Sequence, residues 1–156
     1  MDDLPSYSIE ISRQDVLLAD LDQARLRQAV ELTLRHHQCS RAELHVALVD
    51  DATIADLNEK YRGHPGPTDV LSFDLAEPGA KVLDGQIVVS VETARREAVE
   101  RRHSAEAEVL LYCIHGTLHL LGYDDATPED ARRMHEMEDT LLTELGIGPV
   151  YGAKAS

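Results

Sequence analysis

Residues 109–125 read VLLYCIHGTLHLLGYDD, and the fold turns on how this run is taken. Val109, Leu110, Leu111, Cys113, Ile114, Leu118, Leu120 and Leu121 leave almost no polar stripe, which predicts a helix buried nearly all round. Ser104 is a good N-cap for it, with Glu106 in the first turn where the helix dipole favours an acid. Gly122 is a suitable stop at the far end. His115 and His119 stand one turn apart on one face of this helix. An HxxxH pair alone is weak evidence, because a helical histidine is usually just a packed or exposed residue. Inside so apolar a helix, however, unpaired imidazoles are costly and need polar partners. Two imidazoles placed this way can hold one metal ion. The turn at Gly122 returns Asp124 or Asp125 towards the same face. A third oxygen ligand would leave one tetrahedral position open for water, the layout of a catalytic zinc site.

Working outward, YSIEIS (7–12) alternates as a strand does, and Leu18 to His37 carries helical spacing. In that helix Leu21, Ala24, Leu26, Ala29, Val30 and Leu34 are the candidate core positions. ELHVALVD (43–50) is a strand. Asp50 or Asp51 then caps a short helix whose inner face is read as Ile54, Leu57 and Tyr61. VLSFDL (70–75) and QIVVSV (86–91) are β-rich runs that could pair antiparallel across a long link. Thr93 to Arg102 reads as a helix before the apolar one, and Thr127-Pro-Glu-Asp opens a last helix ending at Leu145-Gly146. The order β-α-β-α-β-β-α-α-α predicts an α+β (mixed α/β) fold: a single domain with a small, mostly parallel sheet of about four strands, packed with helices around the buried central one.

A chain of 156 residues is most simply one domain, 1–156, long enough to bury a core. The acidic start, MDDLPSYSIE, has no apolar leader region, and no stretch approaches the roughly 20 apolar residues of a membrane span. Cys39 and Cys113 form no CxxC pair, so a reduced, cytoplasmic chain is expected. A net charge of −14 argues against general binding along phosphate backbones, while leaving room for local basic patches. Arginines do cluster at 94–103 and 34–38, where a solvated helix face is the ordinary explanation.

HGTLHLLGYDD (115–125) resembles the signature HGxLHLxGYDH of the YbeY family, which are metal-dependent endoribonucleases of ribosomal RNA maturation and ribosome quality control. NEKYRGHPGPTDVLSF (58–73) resembles the same family's N-x-x-Y/F-R…PTDVLSF segment, through Asn58, Tyr61, Arg62 and the run Pro67 to Phe73. Glu108 also falls on a family position, and the matches together span about residues 45–145. The resemblance implies a hydrolase that cuts single-stranded RNA in 16S rRNA 3′-end maturation, with ribosomal RNA and the ribosome or its small subunit as partners. It also implies one Zn²⁺ per chain, held by three histidines. His115 and His119 carry over, but the third position is Asp125 here. A carboxylate ligand adds negative charge, should leave bound water less acidic, and could shift preference towards harder ions such as Mn²⁺. A second departure is Gln86, where the family usually carries Asp; loss of a carboxylate there and gain of one at 125 could compensate.

For catalysis, Arg62 is the candidate cation at the scissile phosphate, since its fork suits two phosphate oxygens; its ordinary alternative is a loop salt bridge with Asp69. His64, in the same loop, reads as an exposed residue, Asp69 as a brace, and Tyr123 as packing for the turn. Two other readings remain. HxxxHxxGxxD has the spacing of metzincin-type peptidases, but their general base directly after the first histidine is Gly116 here. The other is a non-catalytic ribosome-assembly or RNA-binding protein with a structural metal.

Overall fold

The computed structural model describes residues 4–14 and 21–152. Its elements run β1 (Ser6–Arg13), α1 (Gln23–His36), β2 (Arg41–Val49), α2 (Asp51–Arg62), β3 (Val70–Asp74), β4 (Leu83–Ser90), α3 (Val91–Arg101), α4 (Ala105–Leu120) and α5 (Pro128–Glu144). This is the expected α+β order. One sheet is ordered β1-β2-β4-β3, parallel except for the antiparallel edge pair β3–β4. No helix among the described residues is long and apolar enough to cross a membrane.

Local chemistry sets most boundaries. Asp22, Asp50, Ser90, Ser104 and Thr127 cap the five helices, each accepting a first-turn N–H. Pro128 opens α5 where no intrahelical donor is needed. Gly122, with φ +107°, makes the turn after α4 that a side chain would resist. The expected first helix reached back to Leu18; α1 begins instead after the Asp22 cap, and residues 18–20 lie outside the described set. Ala24, read as core, sits exposed in its first turn.

Strand alternation gives the sheet two unlike faces. The inner face carries Ile9, Leu44, Val46, Ile87 and Val89 against the helices, with Leu110, Leu111, Ile114 and Leu118 of α4 fully buried in the same core. Each such leucine contributes about 1.5–3 kcal/mol by burial. Gly116 permits the contact: a Cβ there would lie 2.7 Å from Ile87 Cγ2. The outer face holds a smaller cluster, Val49, Ile54, Leu71 and Val88, beneath α2. Tyr61 is the correction on this helix. Helical spacing places it on the inner face, yet it is 58% exposed. The last turn of α2 reaches edge strand β3, where Tyr61 meets Phe73 edge-on and, among the described residues, no further strand lies beyond to cover it.

Candidate metal centre and cleft

The C-terminal turn of α4 and the Gly122 turn bring His115, His119 and Asp125 together, one ligand atom of each lying within 4.8 Å of the others. The two Nε2 atoms are 3.1 Å apart. Asp125 Oδ2 stands 4.0 Å from His115 Nε2 and 3.7 Å from His119 Nε2. Bonds of about 2.0–2.1 Å in a tetrahedron put neighbouring ligand atoms about 3.3 Å apart, so this spacing suits one ion with little movement.

Hydrogen bonds fix how the imidazoles face. His119 Nδ1 is 3.0 Å from the Tyr123 carbonyl, which can only accept, so Nδ1 carries the proton and Nε2 presents its lone pair. His115 Nδ1 donates over 3.1 Å to Oε2 of Glu138, a carboxylate with no exposed side-chain surface. Both Nε2 lone pairs therefore converge on one point beside Asp125. At 3.1 Å the two Nε2 atoms either share a proton, as the free protein can, or turn both lone pairs on one cation. Burial works to depress the His115 pKa, but the Glu138 hydrogen bond and charge, then Asp69 and Asp125, outweigh it and raise the pKa. Burial and the neighbouring His115 push His119 down.

The alternative third donor, Asp124, is otherwise engaged. Its Oδ1 accepts the backbone N–H of Asp125 at 2.7 Å and of Ala126 at 3.1 Å, which holds the turn and leaves the half-exposed Asp125 carboxylate facing the histidines. Tyr123 packs the turn and also pins it. Its hydroxyl is 2.9 Å from Nε2 of His37, whose Nδ1 donates to the Thr33 carbonyl at 2.7 Å.

A cleft runs beside the centre, lined by His115, Gly116 and His119 on one side and by Val70, Ser72 and Arg62 on the other. Arg62 does not pair with Asp69. Its Nη2 donates to the Ser72 carbonyl at 2.7 Å, and its guanidinium lies 5.8 Å from the Phe73 ring centroid. Asp69 instead braces the loop, accepting from the Val70 N–H at 2.8 Å. His64 is exposed. Gln86 is not near the centre. It pairs in register with Phe73 and His45 and so lies on the outer face, whereas Gly85 and Ile87 touch α4. The sheet stands between Gln86 and Asp125, so the suggested compensation has no contact to act through.

Two buried carboxylates are not assigned a partner by the sequence, one beside the centre and one at the far end of α4. Glu138 was missed, although it falls in the apolar register of α5 with Met134 and Leu141, and that misplaced acid was the available signal. Glu108 matched a family position without an assigned partner; it is fully buried and is held by His103 and by Arg101 Nε at 3.4 Å.

Comparison with known proteins matches this architecture. Residues 8–146 fit the family model described as Endoribonuclease YbeY. A protein named Endoribonuclease YbeY from Desulfitobacterium hafniense is 40% identical over 139 residues, 83% of this chain and 87% of that one. Another of the same name, from Thermobifida fusca, is 40% identical over 144 residues, covering 86% and 92%. The solution structure of TM1509 from Thermotoga maritima superposes with a TM-score of 0.63 at 30% identity, covering 88% of each chain. The fold, the paired histidines on α4 and these matches over most of its length agree, and the chain belongs to the YbeY endoribonuclease family.

Proposed function

We propose that this chain is a metal-dependent endoribonuclease acting on single-stranded ribosomal RNA in 16S rRNA 3′-end maturation, in the cytoplasm and in contact with the small ribosomal subunit. The observation that carries the reading is the convergence of two imidazole lone pairs and the Asp125 carboxylate on one edge of a cleft whose other side is Arg62. His115, His119 and Asp125 would hold one divalent ion, Zn²⁺ by the chemistry of the imidazoles, with Mn²⁺ favoured more than in a three-histidine site. Such an ion supplies Lewis-acid chemistry at a phosphoryl oxygen. Arg62 binds the phosphate from across the cleft and stabilises the charge that builds as water adds to phosphorus and a P–O bond breaks. Glu138 keeps the His115 proton on Nδ1 and so keeps Nε2 free.

The general base of metzincin-type peptidases is missing from its position here. The position after His115 is glycine, and Ile87 fills the space a side chain would need. The test is elemental mass spectrometry of the parent and Asp125→Ala, with cleavage of a single-stranded ribosomal RNA fragment measured beside it. Near one ion per chain in the parent, clear loss in Asp125→Ala, and loss of cleavage but not of metal in Arg62→Ala are the expected results. A parent that holds metal and binds RNA without cutting it would move the chain to the non-catalytic reading.

A further inference from the structure

Tyr61 is an aromatic ring that the core does not account for, set against Phe73, which itself packs on the outer-face cluster. Tyr61 is 58% exposed, one of few large apolar side chains so placed among the described residues. Its ring meets Phe73 edge-on, with centroids 5.6 Å apart and an interplanar angle of 72°. Lys60 Nζ lies 5.2 Å from the Tyr61 centroid, and the Arg62 guanidinium 5.8 Å from that of Phe73. Arg62 joins this pair to the cleft, because its guanidinium lies against Phe73 while its side chain lines the wall opposite His115 and His119. In a chain of net charge −14, two cations lie over these rings, Lys60 at Tyr61 and Arg62 at Phe73.

We propose that Tyr61, backed by Phe73, is a stacking platform for an unpaired nucleobase of the RNA strand, next to the phosphate held at Arg62. The inference rests on the endoribonuclease reading and adds a base subsite to it. An aromatic face takes any base, and the adjoining cations take the flanking phosphates, so the platform selects single strands without selecting sequence. A strand lying in the cleft crosses the β3 edge at Arg62, and the first base beyond that edge meets Tyr61. A duplex cannot offer a base in this way.

The experiment is steady-state cleavage of a single-stranded RNA oligonucleotide by the metal-loaded full-length chain, comparing the parent, Tyr61→Ala and Tyr61→Phe. Tyr61→Ala should raise KM about 5- to 150-fold, the range for loss of one stacked base, and lower kcat far less. Tyr61→Phe keeps the ring and should keep KM. An abasic nucleotide walked along the oligonucleotide should cost the parent its affinity at one position near the cut, and cost Tyr61→Ala nothing further there. Equal KM for parent and Tyr61→Ala overturns the platform while leaving the nuclease reading intact. So does a Tyr61→Phe loss as large as that of alanine, since the hydroxyl and not the ring would then be at work. A parent that cleaves no RNA overturns both.

Discussion

The two ends of α4 hold the same pair of groups and use them differently. At the N-terminal end the buried Glu108 faces His103; at the C-terminal end the buried Glu138 faces His115. Glu108 is closed in, because His103 and Arg101 both press on its Oε1 and its charge lifts the already raised Tyr112 pKa further. Glu138 likewise engages one nitrogen of its histidine. The other, Nε2, faces His119, Asp125 and the cleft. Each carboxylate keeps one buried oxygen without a hydrogen-bond partner, Glu108 Oε2 and Glu138 Oε1, so what makes one pair a clamp and the other a site is the company of the histidine: among the described residues His115 alone of the two has further metal-ligating groups, His119 and Asp125, gathered at its second nitrogen.

Breaking the clamp should have the largest effect on stability. Glu108→Ala leaves Arg101 and His103, 29% and 18% exposed, without their carboxylate. Removing one partner of a buried ion pair costs about 3–5 kcal/mol, and the partial exposure of these partners puts the expected loss near the lower figure. Urea denaturation reads it. The metal content of the protein that folds should match the parent. A variant as stable as the parent, or one folded but stripped of metal, would mean the two ends are not separable.

Glu138→Ala sharpens the contrast from the other side. Loss of the group that orients a metal-binding histidine typically weakens metal affinity 10–100-fold, about 1.4–2.7 kcal/mol. Competition against a chromogenic chelator measures this without reference to activity. Glu138→Gln still offers a carbonyl oxygen to the His115 Nδ1–H and should recover most of the loss. If alanine and glutamine bind metal equally well, and as tightly as the parent, Glu138 is a packing residue and the difference between the ends disappears.

These buried pairs also mark where the sequence stops being legible. The caps at Ser104 and Thr127, the proline at 128 and the turn at Gly122 are local signals, each written within a few residues of its effect, and the structure has them as read. The His115–His119 spacing is equally local. Glu138 lies 23 residues from the histidine it orients, and His37 lies 86 from Tyr123, so nothing in either neighbourhood names the partner. Tyr61 failed for a related reason. Its helical position pointed inward, but whether a strand lies under that position depends on β3 being at the sheet's edge, which is a property of topology and not of spacing. Gln86 was misjudged because strand alternation reveals that neighbours face opposite ways, but not which way faces the metal.

A third carboxylate, less buried than either, tests whether burial sets the scale. Asp51, at the start of α2, accepts from Ser90 Oγ at 2.5 Å, Thr93 Oγ1 at 2.8 Å and Arg96 Nη1 at 2.8 Å, tying α2 to the cap of α3. Its side chain is 23% exposed and that of Arg96 is 59% exposed. Burial works to raise its pKa, but the bonds from Arg96, Ser90 and Thr93 prevail and lower it. A carboxyl whose pKa is lower folded than unfolded stabilises the fold above the unfolded value, and that stability is lost as pH falls through the folded one. Between neutral pH and about pH 3, near the ordinary Asp range, the parent should therefore lose slightly more stability than Asp51→Asn, by about 1 kcal/mol or less given the exposed arginine. Thermal melts across that range measure it. A difference as large as that of Glu108→Ala would mean that network size, and not burial, governs what a carboxylate is worth in this fold.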